Sequence, residues 1–128
     1  MNEEKLNKLP SDVKKQFLKL ALKLSEKKTK TKVHDDFLTF VKHVWPEFIE
    51  GAHHKEIAEK FNQIAQGKIK RLIINMPPRH TKSEFASFLL PAWMVGRKPD
   101  LKIIQTTHTT ELAIRFGRKA KTLMDDPI

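Results

Sequence analysis

The chain contains no cysteine at all. That excludes a disulfide framework and any Cys-ligated zinc or iron–sulfur centre, and it fits a reducing compartment. No low-complexity tract interrupts the 128 residues, and no apolar run approaches membrane length: stretches such as "FLLPAWMV" are far too short to span a bilayer. The opening "MNEEKLNKLPSD" carries acidic residues and lacks an apolar centre, so it does not read as a secretory signal. An apolar strand ending in Asp or Glu is also missing, and with it the second acidic site that nucleotide hydrolysis needs to order magnesium and activate water. Asp125 and Asp126 follow helical residues and do not fill that role.

Apolar material for a core is nevertheless present, with 39% hydrophobic residues and ten aromatics. Charge is abundant and uneven. Residues 1 to 32 hold ten lysines against four acids, which places six of the formal +10 charges in the first quarter of the chain. Such an arm attracts polyanions through counterion release, making nucleic acid the natural partner; a solvated lysine-rich helix face is the plain alternative, and an anionic membrane surface is disfavoured because the apolar stripe is modest and lacks tryptophan.

Spacing organises the chain. Ser11 or Asp12 can cap a helix with Val13, Phe17, Leu20, Ala21 and Leu24 on one face, followed by "SEKKTKTK" as a polar linker. Residues 35 to 45 predict a second helix that buries Phe37, Phe40, Val41, Val44 and Trp45 and halts at Pro46. Residues 53 to 66 predict a third, with Ile57, Ala58, Phe61, Ile64 and Ala65 inside and Gly67 as its stop. The period then changes. "RLIINM", 71 to 76, reads as a strand covered on both faces; 82 to 95 reads as a helix burying Phe85, Phe88, Leu89 and Trp93, kinked at Pro91 and stopped at Gly96. "LKIIQTT", 101 to 107, reads as a second buried strand, and Thr109 or Thr110 caps a last helix to about Met124.

Strand, helix, strand, helix implies a right-handed crossover and a parallel pair. The expectation is therefore an α/β fold: an incomplete parallel sheet with flanking helices, preceded by an N-terminal helical segment. Residues 1–34 form a basic helix and linker, and 35–128 form the first part of a larger domain, since two strands make a poor parallel sheet.

"NMPPRHTKSE", 75 to 84, lies between the first expected strand and its helix. A phosphate loop works because backbone N–H groups at the turn and the following helix start point at the phosphates, while a lysine reaches their oxygens. A neighbouring Ser or Thr hydroxyl completes a magnesium shell. The usual pattern, G-x-x-x-x-G-K-[ST], places glycines where this chain has Met76 and Thr81. Pro77 and Pro78 can fix the turn in place of the first glycine. A β-branched threonine at the second is costly if positive φ is required there. On these residues alone the segment is either a nucleotide site or an ordinary connection, and a setting between a strand and a helix is the deciding test.

Residues 67 to 128, beginning "GKIKRLIINMPPRHTKSEF", resemble the start of the ATPase domain of tailed-phage large terminase subunits, the motors that package DNA into procapsids. The family loop commonly reads Pro-Pro-Arg-His-Gly-Lys-Ser, which Pro77, Pro78, Arg79, His80, Lys82 and Ser83 match, with Thr81 as the departure. Upstream, "FVKHVWPEFIEGAHHKEIAEKFNQIAQGKIKRL" looks like the helical lead-in that carries the family's adenine-contacting segment; the first 34 residues match nothing usable. The resemblance implies a P-loop ATPase (Walker A type) that binds ATP and Mg2+ through Pro78 to Ser83, with Lys82 on the β- and γ-phosphates, Arg79 at the γ-phosphate and Ser83 on magnesium. It further implies work on double-stranded viral DNA in the host cytoplasm, with portal or procapsid, small terminase subunit and an oligomeric ring as partners. In the complete protein it implies a C-terminal endonuclease, none of whose acidic residues occur here. The 128 residues alone are then expected to bind nucleotide weakly and not to hydrolyse it. A helicase-like ATPase, or a non-catalytic basic nucleic-acid-binding module, are the rival readings.

Three further features bear on function. His53 and His54, adjacent and hence expected on different faces of a helix, suggest a cap or adenine contact more than a metal site. His80 can meet a phosphate, and His108 follows the second expected strand. Arg115, Arg118, Lys119 and Lys121 give the last helix a basic side that faces either DNA or solvent.

Overall fold

The computed structural model describes residues 10 to 126 and divides the chain into two units, with the boundary between Lys32 and Val33. Every regular element is helical: α1 (Ser11–Asp35), α2 (Phe37–Val44), α3 (Ala52–Ala65), a π-helical segment (Glu84–Leu89) that leads into α4 (Leu90–Arg97), and α5 (Thr110–Asp125). Among the described residues there is no strand.

This corrects the α/β expectation, P-loop-type parallel sheet included, and with it the strand–loop–helix setting expected for 75 to 84: an extended segment, not a strand, precedes the loop. A strand needs a ladder, and no backbone hydrogen bond joins 71–76 to 101–107. Leu72, Ile74 and Met76 pack on the helical core while Ile73 between them is 85% exposed, so the first segment is a single extended chain with one covered face. In the second, Ile104 is 91% exposed. Continuous apolar character was compatible with burial on both sides; only a neighbouring chain on each side would have supplied it.

The polar stretch Ser25 to Lys32 is also not a linker. It continues α1 to Asp35, with the hydroxyls of Ser25, Thr29 and Thr31 donating back to the carbonyls of Leu22, Ser25 and Lys27. Those back-bonds explain how hydroxyl residues stay helical in mid-run. The expected capping by Ser11 concerns a side chain outside the described set.

In the second unit, Asp36 separates α1 from α2 and caps α2: Thr39 donates to Asp36 Oδ2 through both its amide and its hydroxyl, each at 2.7 Å. Asn62 on α3 donates to Asp36 Oδ1 at 2.8 Å and accepts the Phe37 amide at 2.9 Å. One amide side chain thus locks α2 to α3. Burial works against the Asp36 carboxylate, but these hydrogen bonds outweigh it and hold the group below its ordinary acidity value. Phe37 is fully buried, with Phe61, Phe85 and Trp93 around it edge-on at 5.1, 5.4 and 5.4 Å. That geometry sets positive ring edges against negative faces. Trp93 Nε1 donates to Val33 O at 3.1 Å, so its buried polar atom is satisfied.

α3 ends as expected at Gly67. The glycine takes φ 75°, its amide donates to Ile64 O and the Lys68 amide to Gln63 O, the paired bonds of a Schellman stop. Gly96 is different: it lies inside α4, which runs on to Arg97. Pro91 does not simply kink its helix. Its missing N–H coincides with the π segment, where Leu90 N reaches back to Phe85 O, and the Ser87 carbonyl that Pro91 cannot serve accepts from Gln105 Nε2 at 3.0 Å. α5 starts at Thr109, whose hydroxyl accepts the Leu112 amide, and buries Phe116 and Ala120.

Candidate phosphate-binding loop

The loop runs from Pro77 to Ser83, where the extended segment meets the helical run that begins at Lys82. Phe85 is the first amide of that run to find a partner, donating to Thr81 O at 2.9 Å. The amides ahead of it, on Lys82, Ser83 and Glu84, belong to the helix start, where no carbonyl one turn back serves them. Two non-glycine residues here have positive φ, Arg79 at 66° and Thr81 at 57°. With Pro78 before it, Arg79 has the φ sign found at the third position of a type II turn. For Thr81, a β-branched side chain in the left-handed region, the conformation is a true outlier, of a kind that costs on the order of 1–3 kcal/mol.

The Thr81 side chain sits in a hydrogen-bond relay. Gly51 N–H donates to His54 Nδ1 at 2.9 Å, which requires that nitrogen to be bare. The ring proton therefore sits on Nε2 and goes to Thr81 Oγ1 at 2.6 Å. Thr81 Oγ1 in turn donates to His80 O at 2.7 Å. His54 is 6% exposed, wedged between Phe48 and Phe85 with ring centroids at 4.8 and 5.1 Å. Its pKa is lowered from the ordinary histidine value first by burial, then by the neighbouring His53; Glu50 pulls the other way and His80 again lowers it. The ring is neutral, as the relay demands.

Of the residues expected to hold phosphate, Pro78, Arg79, His80 and Ser83 are exposed, and Thr81 and Lys82 are half-buried. His80 Nδ1 donates to Pro78 O at 2.9 Å, which folds the turn on itself. Pro78 to Thr81 lie in the turn and Lys82 and Ser83 in the first helical residues after it, and neither Lys82 nor Ser83 has a side-chain hydrogen bond among the described residues. Next to them, Glu84 is taken by Lys119, whose Nζ reaches both carboxylate oxygens at 2.9 Å and lies over the Phe88 ring at 5.3 Å. Lys119 is therefore not part of a free basic face on α5. Arg115, Arg118 and Lys121 are exposed, with no carboxylate partner among the described residues.

The two adjacent histidines do not diverge as helical spacing suggests. Their ring centroids are 3.8 Å apart, and His80 approaches His53 to 5.8 Å. Gly51 precedes the helix, so the pair sits at its first turn where side chains fold toward the cap. No group of three His, Cys, Asp or Glu converges on a metal position among the described residues. His108 lies exposed in the bend before α5.

The role of His54 toward Thr81 has no local signature, because the two are 27 residues apart in sequence. Only its position at the helix start hinted at capping. Glu84 likewise gave no sign of pairing with Lys119, 35 residues on. Among the described residues no helix is long and apolar enough to cross a membrane. Comparison with family models, curated proteins and solved structures yields no match.

Proposed function

We propose that the loop from Pro78 to Ser83 grips the phosphates of ATP, with Lys82 on the β- and γ-oxygens, Arg79 at the γ-phosphate, and Ser83 and Mg2+ sharing the bound nucleotide. The observation that carries this reading is the backbone at Thr81. It stands where a phosphate loop has glycine, and it adopts the positive φ of 57° that a glycine would take up freely. A threonine in that state sets the backbone as a glycine would, which suits a loop that turns its amides toward an anion. The Pro-Pro-Arg-His-x-Lys-Ser run then favours the packaging-motor reading: the N-terminal portion of a phage large terminase subunit, acting in the host cytoplasm on double-stranded DNA with the portal, the small subunit and further copies of itself. Phosphoryl chemistry suits such a site, since its catalysis is mainly charge neutralisation and positioning.

The test is equilibrium binding of Mg-ATP. Lys82→Ala should abolish it and Thr81→Gly should strengthen it; unchanged affinity in both variants rejects the site. The exposed Arg115, Arg118 and Lys121 support one second reading, a basic module for nucleic acid. In that case affinity for DNA falls steeply with salt and ignores Lys82→Ala.

A further inference from the structure

A threonine in the left-handed region needs something to keep it there. The left-handed backbone costs any residue with a Cβ, and more for a branched one, so a free loop would relax to negative φ and redirect the Lys82 and Ser83 amides that follow. What opposes relaxation is the Gly51–His54–Thr81–His80 relay, anchored in the aromatic core by Phe48 and Phe85. We propose that His54 is a positioning residue for the phosphate loop: its neutral imidazole clamps Thr81 in the conformation that glycine would take without help, so that the loop binds anions only while His54 is unprotonated. This rests on the phosphate-binding reading above and adds to it a residue outside the loop and a dependence on pH.

The mechanism follows from the donors and acceptors. A proton on Nδ1 would face the Gly51 N–H at 2.9 Å, donor against donor. The ring then has to leave its pocket, and the bond to Thr81 Oγ1 goes with it. The groups that face His54 are few. Glu50, from the chain just before α3, favours protonation but is itself held by Lys42 and by Lys55 at 3.1 Å. His53 on the same helix and His80 on the loop oppose it, while Phe48 and Phe85 bring no charge. Acidification below the ordinary histidine value of 6.5 therefore loads the clamp toward release.

The sign is what makes this testable. Simple attraction predicts tighter anion binding in acid, because protonation only adds positive charge to the protein. The clamp predicts the reverse. Sulfate, whose charge is constant over the range, is titrated into the full isotope-labelled chain at about pH 7.5 and about pH 5 while the Lys82 and Ser83 amides are followed by NMR. Wild type should lose about tenfold in affinity on acidification, the equivalent of one net hydrogen bond. His54→Gln keeps a side-chain N–H for Thr81 without a titrating ring, and Thr81→Gly needs no clamp; both should bind alike at the two pH values or tighten slightly in acid. Tighter binding by wild type in acid overturns the proposal, and so does a His54→Gln or Thr81→Gly variant that weakens as wild type does. If His54→Gln does not fold, wild type against Thr81→Gly decides. If neither sulfate nor ATP perturbs those amides at any pH, the phosphate reading falls instead. The Cα and Cβ shifts of Thr81 then judge the clamp alone: they should leave the left-handed range in acid in wild type, and unchanged shifts overturn it.

Discussion

α1 and α2 were written in the same code and met different ends. Each spaces its apolar residues one helical turn apart, yet Phe17 is 43% exposed and Leu20 57%, whereas Phe37 and Val41 are wholly buried and Phe40 nearly so. Periodicity states which side chains share a face. It does not state whether anything covers that face. For α2 the cover is α3, the π segment and α4, brought in by one aromatic ring with three edge-on neighbours and by an Asp36–Asn62 pairing that fixes the angle of entry. Within the described residues of the first unit, taken by itself, nothing covers the apolar face of α1 between Val13 and Leu24.

The contrast is sharpest at its two phenylalanines. Phe37→Ala removes the hub of the core and should cost about 3–5 kcal/mol in chemical denaturation, enough to threaten folding of the second unit. A loss under about 1 kcal/mol would mean that the aromatic cluster repacks and that the comparison with α1 is empty. Next in size is Asp36→Ala, expected to cost about 1 kcal/mol through the lost cap, with the Asn62 amide left without its acceptor. Its sign with pH follows from the lowered pKa of the folded state: the contribution is complete above 3.8, the ordinary value, and is lost as pH falls through the folded one. His54 acts earlier in the same direction. Its folded pKa is also lowered, but here the neutral form is the native one, so stability is full above 6.5 and declines as pH drops toward the folded value. Acid unfolding of the wild type should therefore be biphasic in slope, with the upper phase absent from His54→Gln and the lower one reduced in Asp36→Ala, where Glu50, also held below its ordinary value by Lys42 and Lys55, still contributes. Smallest of all, Phe17→Ala should change stability by no more than about 0.5 kcal/mol, as for an exposed surface site. A larger loss by thermal denaturation would show that α1 has a partner in solution.

The two apolar segments between helices repeat the lesson. "RLIINM" and "LKIIQTT" carry β-branched residues in unbroken runs, which fits a covered strand. In the structure each is a lone extended segment with an isoleucine in solvent. The helices were legible because their hydrogen bonds close within four residues, and the cap at Thr109 and the stop at Gly67 are local too. A strand is satisfied only by another segment, and no local pattern names that segment. The loop divides in the same way. Lys82, Ser83 and Arg79 could be singled out by spacing and by likeness to a known loop, as could the cost of threonine in place of glycine. The histidine that meets this cost, 27 residues upstream, could not.

Sequence alone settled the absence of cysteine chemistry, the basic first quarter of the chain, the location of most helix starts and stops, and which loop deserved a test for phosphate. Each of these depends on composition or on interactions reaching no further than a helical turn. Tertiary structure alone decided that the apolar segments stay unpaired, that Phe37 is buried in a core, that Lys119 answers Glu84 instead of facing outward, and that His54 meets Thr81 at a φ few threonines adopt. Those outcomes depend on which distant groups arrive within a few ångströms of one another, and burial, pairing and strain are properties of that arrival.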